Sequence, residues 1–162
     1  MMPSKMIRVG MGVDVHAFCP GNHVWLGGIK VTHTQGLAGD SDADVLLHAL
    51  ADALLGALGK GDLGTHFPPH ATKWKDLTSS TIIETCMGFV KDVEACIHNL
   101  DLTLIGEEPK LMPYKDEIKA SIARLLKVNQ DAVNIKATTT DGLGFTGRKE
   151  GLAAQAIVTL SF

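Results

Sequence analysis

Three residues in the first third of the chain have the types and spacing of a metal site. Asp14 and His16 lie two positions apart at the end of an apolar run, and His48 lies in a second apolar segment. Residues two apart in a strand project from the same face, so Asp14 and His16 can bind one ion together. Two imidazoles and one carboxylate suit Zn²⁺, and a site with three protein ligands keeps a fourth position open for substrate. The pattern therefore predicts a catalytic zinc site.

The same residues have a simpler interpretation, in which they only stabilise the fold. Asp14 and His16 can solvate a strand end or cap a turn, and a single His in an apolar helix can be a core residue. A buried imidazole without a partner costs about 1 to 3 kcal/mol, however. Asp52, one helical turn after His48, can supply that partner and hold the tautomer that a metal ligand needs. This neighbour favours the metal interpretation.

Strands and a helix are predicted where these side chains need support. Strands are predicted over 7–15 and 24–31, joined as a hairpin by the turn Pro20-Gly21-Asn22. Ser41 is a suitable N-cap for a helix that carries the second histidine and ends at Gly59.

The rest of the chain also alternates between helices and strands. Residues 60–75 contain Asp62 and His66 and have the composition of a loop, long enough to be a functional flap. Two further helices and three further strands complete the prediction: helices from Ser79 or Ser80 to about residue 98 and over 114–127, and strands over 100–105, 133–138 and 152–160.

Composition predicts one soluble domain over 1–162. The chain has 162 residues, of which 45% are hydrophobic and 20% charged, which suits a core that needs no disulfides. No apolar run approaches the roughly 18 residues that span a bilayer, so a membrane protein is not expected. The net charge of -3 and the scattered basic residues argue against nucleic-acid binding.

The cysteines indicate a reducing compartment. Cys19, Cys86 and Cys96 are odd in number and lack C-x-x-C spacing, so neither a disulfide framework nor a thiolate zinc site is predicted. Residues 1–6 lack the apolar segment of a secretory signal. A cytoplasmic location, or the stroma of a plastid, is expected.

A second chemical signal lies in residues 136–151. This segment combines three consecutive threonines and four glycines with Asp141 and Arg148. Hydroxyls, backbone N–H groups and a guanidinium around one point suit a phosphate or diphosphate. Asp141 can add an oxygen ligand for Mg²⁺ bound to those phosphates. In the alternative interpretation, the threonines only end a strand and the glycines form a turn.

Five segments, taken together and in order, carry a family resemblance: Asp14-Val15-His16, Ser41-Asp42-Ala43-Asp44-Val45-Leu46-Leu47-His48-Ala49-Leu50, Gly61-Asp62-Leu63-Gly64, Ile135-Lys136-Ala137-Thr138-Thr139-Thr140 and Gly144-Phe145-Thr146-Gly147-Arg148. The chain resembles the 2-C-methyl-D-erythritol 2,4-cyclodiphosphate synthase family over nearly its whole length. Separate motifs in the right order and at the right spacing are more specific than any one of them.

The resemblance implies a phosphorus–oxygen lyase of the methylerythritol phosphate route to isoprenoids. Such an enzyme converts 4-diphosphocytidyl-2-C-methyl-D-erythritol 2-phosphate into a cyclic diphosphate and releases CMP. Because the 2-phosphate of the substrate attacks the β-phosphorus itself, no covalent enzyme intermediate is expected. Catalysis would then consist of positioning and charge neutralisation.

The resemblance also implies roles for individual residues. Zn²⁺ would be bound by Asp14, His16 and His48, and Mg²⁺ or Mn²⁺ would bridge the α- and β-phosphates at Asp141, where the family usually has Glu. Thr139 would help to stabilise the transition state. The remaining substrate contacts would come from Ser41, Thr138, Thr140, Phe145 and Arg148, from Asp62, Leu63 and Gly64 at the ribose and erythritol, and from Gly106, Pro109, Lys110, Leu111 and Met112 in a cytidine loop over 106–112.

The implied fold is of the α+β class, a mixed four-stranded sheet with helices on one face. Three subunits would form a homotrimer in which neighbouring chains share each active site. An apolar central cavity involving Phe145, Arg148 and Glu150 can hold a prenyl diphosphate in some members of the family.

The chain departs from the family beside the predicted metal helix. Asp40 stands at a catalytic position where the family has a His that contacts the transferred phosphate. An acid there adds negative charge beside a diphosphate, so a slow member of the family is expected. Pro69 and Ala71 also occupy loop positions where many members have Asp.

Two functions of other classes would use the same residues. A zinc-dependent phosphoester hydrolase would bind the metal in the same way but would need a base to activate water, and the cytidine loop with Lys110 argues against it. A trimeric binding protein, stabilised by metal, would be inactive or only weakly active because of Asp40. Measuring cyclic diphosphate and CMP from the cytidylated substrate distinguishes the three.

Overall fold

Four strands, then three helices, and then three strands separated by two helices follow one another in the part of the chain that the structure describes. The structure is a computed structural model and describes residues 6–69, 71 and 76–162. The strands are β1 (Ile7–Pro20), β2 (His23–Leu26), β3 (Ile29–Thr32), β4 (Gln35–Leu37), β5 (Cys96–Ile105), β6 (Val133–Thr138) and β7 (Gly151–Ser161). The helices are α1 (Val45–Leu58), α2 (Leu63–His66), α3 (Ser79–Asp92), α4 (Lys115–Leu126) and α5 (Gly144–Gly147), with 3₁₀ turns at Met112–Tyr114 and Gln130–Ala132.

Five strands of the described chain form one mixed sheet in the order β4-β1-β7-β5-β6. β1 pairs antiparallel with β4 and β7, β7 pairs antiparallel with β5, and β5 pairs parallel with β6. The α+β class with a mixed sheet and helices is therefore confirmed. The four long strands account for the four that the resemblance implies, and the three-residue strand β4 adds a fifth at one edge.

The predicted hairpin between 7–15 and 24–31 is wrong. Residues 24–31 lie in a hairpin of their own, in which β2 and β3 pair across Gly27 and Gly28. These glycines have φ values of 61° and 80°. A two-residue turn with positive φ at both positions matches the twist of the strands and favours glycine. The turn after Pro20 therefore leads into a separate two-stranded sheet.

Helices α1 and α4 lie where the apolar periodicity predicts them, whereas α3 is shorter than predicted. The N-cap of α1 is Asp44 instead of Ser41, and its carboxylate accepts the N–H of Leu47 at 3.0 Å. Helix α3 ends at Asp92, and residues 96–99 belong to β5 because they pair with the end of β7. None of the described helices is long and apolar enough to cross a membrane.

The helices cover one face of the sheet. α1 packs on β1 and β7, α3 packs on α1, and α4 packs beside β6. The other face of β1 is apolar as well, yet its side chains are between 49% and 63% exposed: Val9, Met11, Val13 and Val15. The sheet thus has one face in the core and one apolar face that this chain does not cover.

β1 and α1 touch through their backbones at Gly10 and Gly12. A Cβ at Gly10 would lie 1.9 Å from the carbonyl oxygen of Ala53, and a Cβ at Gly12 would lie 1.9 Å from that of Ala49. No side chain fits at such a distance, so only glycine lets the strand lie directly on the helix. Ala49 follows the predicted ligand His48. The contact therefore sets the separation between the two elements that carry the predicted metal ligands.

Replacing Gly12 with Ala is expected to destabilise the protein by about 1 to 3 kcal/mol, because the added methyl group must push α1 away from β1. The free energy of unfolding in urea measures this effect. Gly88 provides a matched control, since it lies in α3 with nothing within 4 Å of an added Cβ. Gly88→Ala should stabilise the protein by about 0.5 to 1 kcal/mol, as expected for a helix interior. Equal stability of Gly12→Ala and the parent protein would contradict the proposed constraint.

Candidate metal centre and substrate cavity

The predicted metal ligands meet where the end of β1 lies beside the first turns of α1. Oδ2 of Asp14 lies 2.9 Å from Nε2 of His16 and 3.3 Å from Nδ1 of His48. The two ring nitrogens are 3.0 Å apart. Within the described residues, this is the one group of three such side chains that could hold an ion together. The proximity that the sequence pattern predicts is therefore found in the structure.

The donor set fits a small tetrahedral cation. Ligand atoms at 2.0 to 2.1 Å from one zinc ion are about 3.3 Å apart, so the three observed separations need only a small expansion. Nδ1 of His16 lies 2.7 Å from the carbonyl oxygen of Ala38 and must donate to it, because a carbonyl only accepts. In the neutral imidazole the lone pair is thus on Nε2, the atom that faces Asp14, where either a proton or a metal ion can bind. The buried Oδ2 of Asp14 accepts no backbone or hydroxyl hydrogen bond from the described chain.

The electrostatics of the cluster favour a positive charge at its centre. Burial raises the pKa of Asp14, but hydrogen bonds and charge interactions with His16 and His48 outweigh burial and hold that pKa well below its usual range. Burial lowers the pKa of His16, but the Asp14 carboxylate outweighs it and raises the pKa above the ordinary value. The same negative carboxylate that attracts a proton here attracts a metal cation.

The prediction that Asp52 holds the imidazole of His48 is wrong, because two serines do so instead. Asp52 does not bond to the imidazole; its carboxylate accepts the backbone N–H of Leu63 at 2.7 Å. Nε2 of His48 instead lies 2.9 Å from Oγ of Ser79 and 3.2 Å from Oγ of Ser41. The two hydroxyls come from the start of α3 and from the segment before α1, so neither lies on the helix that carries His48.

The bond from Leu63 to Asp52 ties the segment Asp62–Gly64 to α1, one turn beyond His48. Asp62 caps α2 by accepting the N–H and the hydroxyl of Thr65 at 2.9 and 2.8 Å. These hydrogen bonds lower the pKa of the exposed Asp62 carboxyl. Part of the predicted flap over 60–75 is therefore a capped helical turn. Residues 70 and 72–75 of that prediction lie outside the described residues.

A cavity of about 380 Å³ lies at the adjoining ends of β5 and β6. These strands are parallel and pair up to Ile105 and Thr138, so the loops that follow them start side by side. The cavity brings together seven of the predicted substrate and catalytic residues: Gly106, Pro109, Lys110, Leu111, Met112, Thr138 and Thr139. The two predicted segments thus form one site.

Sequence reasoning missed two lysines of this cavity. Lys115 and Lys136 line it together with Lys110, beside the apolar residues Leu104 and Ala137. Lys136 is also paired with Asp101 on the neighbouring strand. Both lysines could have been found from their places in the sequence, because Lys115 lies three residues after the loop over 106–112 and Lys136 lies two residues before the threonine run. Three ammonium groups around an apolar cleft suit a phosphate attached to a flat organic group.

The threonine run forms a turn that the half-buried carboxylate of Glu107 stabilises. Oε1 of Glu107 accepts the N–H groups of Thr140 and Gly142 at 3.3 and 3.4 Å. The hydroxyl of Thr140 donates to the carbonyl of Leu143 at 2.6 Å and so serves the turn itself. The hydroxyl of Thr139 lies 3.3 Å from Oδ1 of Asp141. Glu107, which the sequence did not single out, joins the cytidine loop to this turn.

The remaining predicted residues lie outside the metal cluster of this chain. Asp141 is not part of the group formed by Asp14, His16 and His48. Arg148, after α5, is exposed and forms an ion pair with Glu150 at 2.9 Å. Asp40 lies in the exposed bend before α1, and its backbone carbonyl accepts the N–H of Asp76 at 3.4 Å.

Known proteins resemble this chain along almost its full length. It is 50% identical over 160 residues to a protein of Xylella fastidiosa named 2-C-methyl-D-erythritol 2,4-cyclodiphosphate synthase, covering 99% of this chain and 91% of that protein. The fold matches the structure of the bifunctional IspDF from Campylobacter jejuni with a TM-score of 0.90 and 38% identity, over 99% of this chain and 43% of that one. It also matches a CDP complex of IspF from Plasmodium falciparum with a TM-score of 0.84 and 27% identity, over 96% of both chains.

The family assignment agrees with the site. The model of the YgbB family matches residues 7–161, which include the metal cluster, the cavity and the threonine turn. The match extends over nearly the whole chain, as does the 50% identity to the protein of Xylella fastidiosa. The chain therefore belongs to the YgbB family.

Proposed function

We propose that this protein is a 2-C-methyl-D-erythritol 2,4-cyclodiphosphate synthase of the methylerythritol phosphate route to isoprenoids. Its substrate would be 4-diphosphocytidyl-2-C-methyl-D-erythritol 2-phosphate, and its products the cyclic diphosphate and CMP. The observation that carries the proposal is the meeting of Asp14, His16 and His48 in a chain that is 50% identical to a protein of that name over 99% of its length. The lysine-lined cavity supports it.

The reaction needs no nucleophile from the protein. An oxygen of the 2-phosphate forms a bond to the β-phosphorus, and the bond from that phosphorus to the oxygen of the α-phosphate breaks. The electron pair of the broken bond leaves with CMP. The protein must therefore hold the 2-phosphate in line with the leaving group and offset the negative charge of three phosphates.

The metal cluster is suited to the β-phosphate. Asp14, His16 and His48 would hold one Zn²⁺ and, as only three protein ligands, would leave room for a phosphate oxygen. When bound, the ion would polarise that oxygen. Asp141, with oxygen donors only, would hold Mg²⁺ or Mn²⁺, which when bound would offset the negative charge of the diphosphate. The hydroxyl of Thr139 lies in the cavity wall and donates to Asp141 in this structure; with substrate and metal bound it would turn and donate to the developing charge.

The cavity is suited to the cytidine end of the substrate. Its apolar walls can contact a flat base, while the backbone of residues 106–112 offers N–H and carbonyl groups to the edge of that base. Lys110, Lys115 and Lys136 would attract the α-phosphate. Asp62, Leu63 and Gly64, fixed to α1 through Asp52, would contact the sugar and erythritol, and Ser41 a phosphate oxygen.

The apolar face of β1 supports the proposed homotrimer. Met11 of this strand pairs directly with Ile157 of β7, and both side chains are at least 40% exposed, so the apolar surface continues across two strands. A continuous apolar surface of this kind is typical of an interface between chains. In a trimer, this face would line the centre, where Phe145 and the pair Arg148 and Glu150 would close a cavity able to hold a prenyl diphosphate.

The purified protein is expected to release CMP and cyclic diphosphate in equal amounts when Zn²⁺ and Mg²⁺ are present. His48→Ala should abolish both this activity and zinc retention, with little loss of stability, because the cluster lies at the margin of the core. Product analysis by phosphorus NMR and metal analysis measure these outcomes. Linear phosphates without cyclic product would indicate the hydrolase, and metal binding without turnover would indicate the binding protein.

A mass three times that of the 17.2 kDa chain is expected in solution, as measured by light scattering. Val13→Glu should break the assembly, because it places charges on the apolar face of the sheet. Val93→Glu is the matched control, since Val93 is exposed at the end of α3 and away from that face. A fully active monomer would refute shared active sites.

Asp40→His is expected to raise the turnover number for CMP release by a factor of about 10² to 10³, the usual value of one fixed donor aimed at developing charge. Zinc content should not change, because Asp40 is not a proposed ligand. Asp92→His, an exposed acid at the end of α3, controls for the removal of one negative charge. Lower activity of Asp40→His would mean that Asp40 itself works in this site.

A further inference from the structure

The imidazole of His48 is held from its far side by a buried serine. Oγ of Ser79 lies 2.9 Å from Nε2 of His48 and is the donor of a short hydrogen bond to Oδ1 of Asp42. The backbone N–H of Ser79 donates to the other oxygen of the same carboxylate at 3.1 Å. Ser79 is fully buried. The serine is thus fixed at two points before it meets the histidine.

The chemistry of the three groups determines the direction of each hydrogen bond. A carboxylate only accepts, so the single hydroxyl proton of Ser79 belongs to Asp42. The oxygen of Ser79 then faces His48 as an acceptor, and Nε2 of His48 must carry the proton. The lone pair of the imidazole is left on Nδ1, which faces Asp14 at 3.3 Å and His16 at 3.0 Å. A hydrogen bond on the far nitrogen is a common way to fix the tautomer of a metal-binding histidine.

Ser41 is less suited to this task than Ser79. Its hydroxyl oxygen lies 3.2 Å from the same nitrogen, but it also accepts the N–H of Ala43 at 3.1 Å. Ser41 is only partly buried and lies in the segment proposed to contact phosphate. If its hydroxyl turns to a phosphate oxygen, Ser79 alone holds the imidazole. The role therefore falls to a residue on another helix, 31 positions away from His48.

We infer that Ser79, held by Asp42, is a positioning residue that keeps His48 in the tautomer and orientation needed to bind metal through Nδ1. The inference rests on the proposed function, because it assumes that His48 is a metal ligand. Ser79 acts through His48 and contacts neither substrate nor reacting atoms. Asp42 acts in turn through Ser79. Its carboxylate accepts the hydroxyl proton of Ser79, which could otherwise be donated to Nε2 of His48 and favour the wrong tautomer.

Zinc titration of the metal-free protein tests this inference independently of turnover. Ser79→Ala should weaken zinc binding about 10- to 100-fold, as is usual when the hydrogen-bond partner of a histidine ligand is removed. Its Co²⁺ derivative should have a shifted visible spectrum, because the imidazole is free to turn. Ser80→Ala is the matched control, since Ser80 is the neighbouring serine of the same helix, and the side-chain hydrogen bonds of His48 to described residues go to His16, Ser41 and Ser79 instead. It should bind zinc like the parent protein.

A double-variant cycle separates positioning from a general loss of structure. If Asp42 acts through Ser79, the variant that combines Asp42→Ala with Ser79→Ala should bind zinc as weakly as Ser79→Ala alone. Additive losses, or a Ser79→Ala protein with parental zinc affinity and Co²⁺ spectrum, would overturn the inference. Failure of the parent protein to bind zinc would instead refute the metal assignment of the proposed function. Thermal melting of each metal-free variant identifies any that is unfolded. If Ser79→Ala does not fold, the zinc affinity and Co²⁺ spectrum of Asp42→Ala decide, and parental values for that variant would overturn the inference.

Discussion

The contact between β1 and α1 is the constraint on which the rest of the site depends. Gly10 and Gly12 place the strand against the carbonyl oxygens of Ala53 and Ala49, closer than any side chain allows. Side chains two apart in a strand share a face, so Asp14 follows Gly12 on the side of β1 that faces α1. His48 directly precedes Ala49 on α1. With both elements at this separation, short side chains from each reach one point. A longer separation would leave His48 outside the reach of the two strand residues.

The same alternation that forms the metal cluster also produces the proposed assembly surface. Glycine and ligand positions of β1 face the helix, so the residues between them must face the other way, and these are Val9, Met11, Val13 and Val15. One fourteen-residue strand thus serves a core, a metal cluster and an apolar surface. A change of register by one residue would exchange these faces, so fold, metal binding and assembly depend on one alignment.

The buried carboxylate of Asp44 determines where α1 begins and holds that end of the helix against the hairpin of β2 and β3. Asp44 accepts three backbone N–H groups, from Gly27 at 2.9 Å, Gly28 at 2.7 Å and Leu47 at 3.0 Å. Burial raises the pKa of Asp44, and these three hydrogen bonds offset that rise only in part. The side chain therefore caps the helix and joins it to the hairpin of β2 and β3 at once. His48, four residues later, takes its position from this cap.

The sequence predicted the parts of the site that local spacing determines and missed those that depend on packing. The spacing of Asp14 and His16 and the periodicity around His48 were sufficient because strand and helix geometry repeat over a few residues. The partner of His48 could not be inferred in this way. Asp52 has the right helical spacing, yet its carboxylate accepts the N–H of Leu63 at the start of α2. Ser79 belongs to a different helix, whose packing against α1 no local pattern encodes. The hairpin at Gly27 has a related explanation, because Pro20-Gly21-Asn22 and the adjacent Gly27 and Gly28 both have the composition of a turn, and only strand pairing decides which of them closes a hairpin.

Charge explains how an acidic protein can act on a substrate with three phosphates. The chain has 18 acidic and 15 basic residues, and its metal cluster, its α1 cap and the bend at Asp40 all carry carboxylates. The lysines described at the site lie around the cavity, and one of them is paired with Asp101. On the proposed function, these lysines attract the nucleotide end, while bound cations must neutralise the charge at the β-phosphate. Cyclisation should then depend on metal binding more steeply than nucleotide binding does, because lysines already offset the charge at the nucleotide end, whereas the groups proposed at the reacting phosphorus include the carboxylates of Asp14 and Asp141 and none of these lysines.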